Sequence, residues 1–225
     1  MLLAIDTATD RVSLALGDGA DIMAEHNWLC AYNHTVELAP QVDHMLRAEG
    51  ISADSLEAVA VGIGPGSFTG LRIGLAFAKG FALSHGLPIV GVPTLDIVAY
   101  GQPKREGILI AVLSAGRDRI AAQAYRWHEG YWKSNGPAQI SDWHRLLNDL
   151  YAGSAHVCGE IDAVGRDTLQ EQVSFASPHL NVRRGACLIA IARHRLSSGQ
   201  MDDPNDLAPV YLQSPDAGRQ QSAVA

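Results

Sequence analysis

Apolar residues cluster over Leu2 to Ile5, stop at Asp6-Thr7-Ala8-Thr9-Asp10, and resume over Val12 to Leu16. They return over Ile22 to Trp28 after the turn signal Gly17-Asp18-Gly19. Short apolar runs parted by turn residues predict three strands in an antiparallel meander. Val36, Leu38, Ala39, Val42, Met45 and Leu46 then recur at helical spacing, and Gly50 ends the run, which predicts a helix over about Thr35 to Glu49. Leu56 to Ile63 reads as a buried strand, followed by a glycine-rich loop and a helix from about Thr69 to Ser84. Pro88 to Val92 is a further buried strand, and Pro93-Thr94 opens a short helix toward Tyr100.

The order is β-β-β-α-β-α-β-α, three antiparallel strands and then alternating helices and parallel strands. That is a ribonuclease-H-like unit, the half-molecule of actin, Hsp70 and sugar kinases. Gly101 to Gly107 is polar and turn-rich and marks a boundary. Beyond it the pattern repeats in shorter form. Ile108 to Leu113, Ile120 to Tyr125, Tyr131-Trp132 and His156 to Cys158 read as strands, Asp142 to Leu150 as a helix capped by Ser141, and Ala186 to Leu196 as a helix. The expected fold is α/β, with two ribonuclease-H-like subdomains of the actin-like ATPase (ASKHA) type, each a mixed sheet with flanking helices. Residues 1–103 form the first subdomain, 104–213 a reduced second one, and the polar stretch 214–225 a disordered tail.

Composition refines this picture. The chain has 225 residues, 47% hydrophobic and 18% charged, a globular balance able to bury a core. Its formal charge of −7 makes it a poor nucleic-acid binder alone, since lysines and arginines on phosphate supply most of that affinity. Three cysteines, Cys30, Cys158 and Cys187, are far apart and form no CxxC, so neither a disulfide framework nor a structural zinc site is expected. The opening MLLAIDTATD has no basic leader, and no apolar run reaches the ~20 residues of a membrane span. A cytoplasmic protein is expected.

Two segments invite chemistry. A carboxylate and hydroxyl at the end of the first strand, Asp6-Thr7, can face a phosphate or a metal, or can simply close an Asx turn. The loop Gly62-Ile63-Gly64-Pro65-Gly66-Ser67-Phe68-Thr69-Gly70 opens a helix, whose free N–H groups and partial positive charge suit an anion. Asp6, Thr7, Gly64, Gly66, Ser67, Thr69 and Gly70 are therefore the candidate nucleotide or anion residues. The loop nevertheless lacks the lysine of GxxxxGK[ST], and its third glycine falls one residue late for GxGxxG. The other reading is a tight strand-to-helix turn with Ser67 or Thr69 as N-cap. Gly70, Gly74, Gly80, Ala76, Ala78 and Ala82 then line the helix, and small residues let a sheet or a second helix approach closely. Among the nine histidines there is no HExxH, and Ser67 lies in no GxSxG. No metal ligand and no catalytic residue is assigned.

Ile5 to Thr9, GIGPGSFTGLRIGLAFAKGFA over Gly62 to Ala82, Gly91 to Leu95, and Pro209-Val210-Tyr211-Leu212 together resemble the TsaB (YeaZ) family. The resemblance is strong over residues 1 to 100 and thin beyond. It implies a subunit, not itself catalytic, for threonylcarbamoyl transfer to adenosine 37 of tRNAs decoding ANN codons. The partners it implies are TsaD, the catalytic paralogue, and TsaE, an ATPase, with tRNA touched only indirectly and no membrane. It implies no tightly bound cofactor, with ATP or ADP a candidate at the interface with TsaD. The catalytic paralogue carries HxxxH where this chain has Thr94 and Val98, and neither replaces an imidazole. Although the family has been labelled peptidase-like, that resemblance implies no protease activity.

The resemblance also places the partner surface on the first two helices, at His34, Leu38, Val42, Met45, Leu71, Arg72, Gly74, Leu75, Ala78 and Lys79, with a homodimer through the same surface when the chain is alone. Two departures stand out. Ser114-Ala115-Gly116-Arg117 lacks the family's aspartate, and Tyr211-Leu212-Gln213 ends in glutamine where arginine is usual. The alternative function is an actin-like ATP-dependent small-molecule kinase, which would use Asp6, Thr7 and the Gly64 to Gly70 loop and would need Mg²⁺ held by carboxylates.

Overall fold

The computed structural model describes residues 1–30, 33–116, 118–150 and 155–212. Arg117, Gln213 and the tail expected over 214–225 lie outside the described residues. The chain forms two compact units: Met1–Ile97 with Arg183–Val210, and Val98–Val182 with Tyr211 and Leu212.

In the first unit, β1 (Leu2–Asp6), β2 (Arg11–Asp18) and β3 (Asp21–Leu29) make the antiparallel meander, followed by α1 (His34–Ala48). Next come β4 (Ala58–Gly64), α2 (Phe68–His85), β5 (Ile89–Pro93) and α3 (Thr94–Tyr100). β4 runs parallel to β1, with Ile5 opposite Val61, and the sheet order is β3-β2-β1-β4-β5. Because successive strand side chains point to opposite faces, β1 serves two cores at once. Leu3 and Ile5 join Leu38, Val42, Met45, Leu75, Ala78 and Ala82 of α1 and α2. Leu2 and Ala4 join Ala15, Ala58, Ala60, Val90 and Val92, and this small-residue face is covered by Leu188, Ile189 and Ala192.

In the second unit, β6 (Ile108–Ser114), β7 (Ile120–His128) and β8 (Tyr131–Ser134) form a meander. β9 (Gln139–Ser141), α4 (Trp143–Asp149), β10 (Ala155–Gly159), α5 (Ala163–Leu169) and β11 (Ser174–Phe175) follow. The order β8-β7-β6-β10-β11 repeats that of the first unit, with β10 parallel to β6, and β9 also pairs with β7. The repeat is shortened. α4 and α5 have 7 residues each, against 15 and 18 in α1 and α2. The last helix, α6 (Gly185–Ser197), returns to the first unit.

Three details depart from expectation. Arg183–Val210 belongs with the first unit, and the division falls after Ile97, not at 103. The reason is packing: the alanine-lined sheet face needs cover, and Leu188, Ile189 and Ala192 supply it. The cap of α4 is Asp142, whose Oδ1 accepts the Arg145 N–H at 2.8 Å, not Ser141. α5 and β11 give too little periodicity to be read, since Gly165 of α5 is spent on contact with the Trp143 ring and β11 has two residues. Among the described residues no helix is long and apolar enough to cross a membrane, and all three cysteines are free.

Candidate functional site

The glycine loop sits at the end of β4, beside the end of β1. Ser67 caps α2, its Oγ accepting the Gly70 N–H at 3.3 Å, and its own N–H goes to the Ala8 carbonyl at 2.6 Å. Thr7 Oγ1 donates to the Gly70 carbonyl at 2.7 Å. A Cβ on Gly66 would strike the Ala8 carbonyl, one on Gly70 the Thr7 carbonyl, and one on Gly74 the Thr7 hydroxyl. The helix is thus pressed against the β1–β2 turn, and its glycines make room for that turn. Gly64, at φ +113°, lies under the Val210 carbonyl, while the Val210 N–H bonds to Ile63 O at 2.7 Å.

Asp6, Thr7, Gly64, Gly66, Ser67 and Gly70 are therefore brought to one end of the sheet, but not as an open cradle, while Thr69 is exposed on the first turn of α2. Two of the loop's N–H groups, those of Ser67 and Gly70, are bonded to the chain's own Ala8 carbonyl and Ser67 hydroxyl. Asp6 is 1% exposed. Its Oδ1 accepts the Ala8 N–H at 2.9 Å, the Asx turn, and its Oδ2 accepts from Arg183 Nε at 2.7 Å. Arg183 went unread from sequence because nothing local marks an arginine as buried.

The residues expected on the partner surface need correction. His34, Leu38, Val42, Met45, Leu71, Gly74, Leu75 and Ala78 are all buried. Leu38, Val42, Met45, Leu75 and Ala78 pack into the core against their own sheet, while Gly74 abuts Thr7 of the β1–β2 turn. His34 also donates to the Thr9 carbonyl at 3.3 Å. Arg72 is exposed, with its guanidinium 3.7 Å above the Phe68 ring, and Lys79 is half-buried.

The outer face of these helices is a different set. Phe68 is 55%, Leu83 62% and Val36 71% exposed. Ala76 and Gly80 are exposed between them, and Ile73 and Phe77 are partly so. Exposed apolar residues on a helix whose other side is already in the core, here interleaved with Arg72 and Lys79, fit a contact site. The signal was present in the sequence. Away from its sheet, α2 carries the small and apolar residues Ala76, Gly80 and Leu83 alongside Arg72 and Lys79.

Thr94, 0% exposed, accepts the Gly64 N–H on Oγ1 at 3.0 Å, and Val98 is 2% exposed. Among the described residues no group of three His, Cys, Asp or Glu side chains is placed to hold a metal ion. Ser114 donates its N–H to Glu160 Oε2 at 3.2 Å. In the second unit, burial and then the charge of Arg105 hold His156 down to about 4. Burial pushes Cys187 up to about 11 and Cys158 higher still, so neither is a ready nucleophile.

These features define a two-unit α/β protein of the actin-like fold, with a plugged loop and an uncovered helix face. The family model for TsaD, tRNA N6-adenosine threonylcarbamoyltransferase, matches residues 28–209. The tRNA threonylcarbamoyladenosine biosynthesis protein TsaB of Escherichia coli (strain K12) is 38% identical over 143 residues, 64% of this chain and 58% of that protein. The TsaB protein of Haemophilus influenzae is 38% identical over 178 residues, 77% of this chain and 70% of its own. The solved structure of YeaZ from Pseudomonas aeruginosa superposes with a TM-score of 0.78 at 25% identity, covering 94% of this chain and 99% of that one. The chain belongs to the TsaD-related family and, within it, to the TsaB (YeaZ) branch. The match spans less than two thirds of the Escherichia coli relative's length, at 58%.

Proposed function

We propose that this chain is a non-catalytic subunit for threonylcarbamoyladenosine synthesis on tRNA, acting by binding and activating the catalytic paralogue TsaD. The observation that carries the reading is the apolar outer face of α2, with Phe68, Ala76 and Leu83 exposed, in a chain whose relatives are named for this modification. A protein that leaves such a surface bare gains by covering it. The same face serves a homodimer when TsaD is absent, so self-association and complex formation compete. TsaE joins the pair, ATP or ADP is held at the interface with TsaD, and the modified position is adenosine 37 of tRNAs decoding ANN codons. The net charge of −7 supports contact with tRNA through the partner and not through this chain, and the scattered, unpaired cysteines support activity in the cytoplasm.

The test is reconstitution. The chain is mixed with TsaD, TsaE, tRNA and threonylcarbamoyl-adenylate, and modified adenosine is quantified with and without it. Equal modification in its absence, or no complex with TsaD on size exclusion, sinks the reading.

A further inference from the structure

Among the described residues, Arg183 is the largest of the fully buried side chains, at 1% exposure. Its three nitrogens each meet an oxygen of the β1–β2 turn. Nε donates to Asp6 Oδ2 at 2.7 Å, Nη1 to Thr9 Oγ1 at 2.8 Å, and Nη2 to the Arg11 carbonyl at 2.6 Å. A carboxylate, a hydroxyl and a carbonyl are the hard oxygen donors that hold Mg²⁺ or Ca²⁺ elsewhere. Here they converge on a guanidinium, whose fixed fork of donors suits such a set. The turn beneath is preorganised: Asp6 Oδ1 is held by the Ala8 N–H, and a Cβ on Gly62 would lie 2.9 Å from that oxygen.

The residues after Arg183 are seated on the same sheet. Gly185 N–H bonds to Ser13 Oγ at 2.7 Å, Ala186 N–H bonds to Glu25 Oε1 at 3.0 Å, and the Arg184 guanidinium pairs with Glu25. The guanidinium therefore both neutralises a buried carboxylate and fixes the start of α6.

We propose that Arg183 is a resident cation. It fills an oxygen-lined cation site built from Asp6, Thr9 and the Arg11 carbonyl, closes that site to divalent metal and metal–nucleotide, and anchors the returning C-terminal segment there. This stands independently of the tRNA reading, and it argues against the kinase alternative, which needs Asp6 free for Mg²⁺.

The test uses the full chain and Mn²⁺, followed by electron paramagnetic resonance and by melting temperature. Wild type is expected to show no saturable Mn²⁺ binding that Asp6→Asn removes. Arg183→Ala is expected to melt about 10 °C lower. Its melting temperature should rise saturably with Mn²⁺, or with millimolar guanidinium against matched NaCl, and both responses should vanish in Asp6→Asn/Arg183→Ala. Where Arg183→Ala does not fold, Arg183→Lys, which keeps a cation, should fold and Arg183→Met should not. Mn²⁺ held by Asp6 in wild type, a folded Arg183→Ala indifferent to both cations, or equal stability of the Lys and Met variants overturns the proposal.

Discussion

Thr7 is held between two parts of α2. Its hydroxyl donates to Gly70 O, and its Oγ1 occupies the place where a side chain on Gly74 would be. Gly74→Ala should therefore destabilise the protein by about 1–3 kcal/mol in urea unfolding, because overpacking here displaces a turn that carries two further bonds. Ser67→Ala should cost about 1 kcal/mol through the lost cap. His156 gives a pH signature. It is buried, its Nδ1 lies 2.7 Å from Ser174 Oγ, and burial with the Arg105 charge holds it at about 4, below its usual 6.5. The unfolded chain takes up this proton first. Stability is thus full above about pH 6.5 and falls as pH drops toward about 4. Melting temperature against pH should show this loss, and His156→Phe should flatten it. At this scale the glycine spacing was legible as a tight turn, and its misfit to phosphate loops was legible too. That the turn is filled by Ala8 and Thr7, and that Arg183 closes it, was not, because those contacts join residues 59 to 177 positions apart.

On α2 the two faces have opposite duties. Leu71, Leu75, Ala78 and Ala82 are buried against β1 and β4, while Ala76 and Leu83 face outward. Ala76→Arg and Leu83→Arg should leave stability within about 0.5 kcal/mol, since surface changes on a helix cost little. They should weaken association with TsaD by about tenfold or more, as measured by calorimetry, because a charge placed at the centre of an apolar contact is left desolvated. Ala78→Asp should do the reverse of a clean interface variant and unfold the chain, as seen by far-ultraviolet circular dichroism. Both long helices were legible to within a residue or so at each end, from periodicity at α1 and from the strand-to-helix turn at α2. Of the ten residues that the resemblance places on the partner surface, eight are buried in the chain itself, while Arg72 is exposed and Lys79 half-buried.

Across the whole molecule, one pattern occurs twice. The first unit orders its strands β3-β2-β1-β4-β5, and the second orders them β8-β7-β6-β10-β11. The repeat was visible in the sequence from the apolar runs of β6 and β7 and from α4, whereas β11 has two residues and α5, with Gly165 against the Trp143 ring, shows no apolar period. The destination of α6 was not visible, because its apolar residues suit either sheet and only the alanine-lined face of the first unit decides. In function, the first unit keeps a long, apolar, outward helix, while its loop is closed by its own turn. That combination fits a subunit that acts by contact.

The decisive measurement is the rate of threonylcarbamoyladenosine formation by TsaD and TsaE, with wild-type chain, with Leu83→Arg, and without the chain. The account predicts modification with wild type, and a rate with Leu83→Arg close to that of the mixture lacking the chain, although the variant is folded. Full modification without the chain, or full activity with Leu83→Arg, would contradict it.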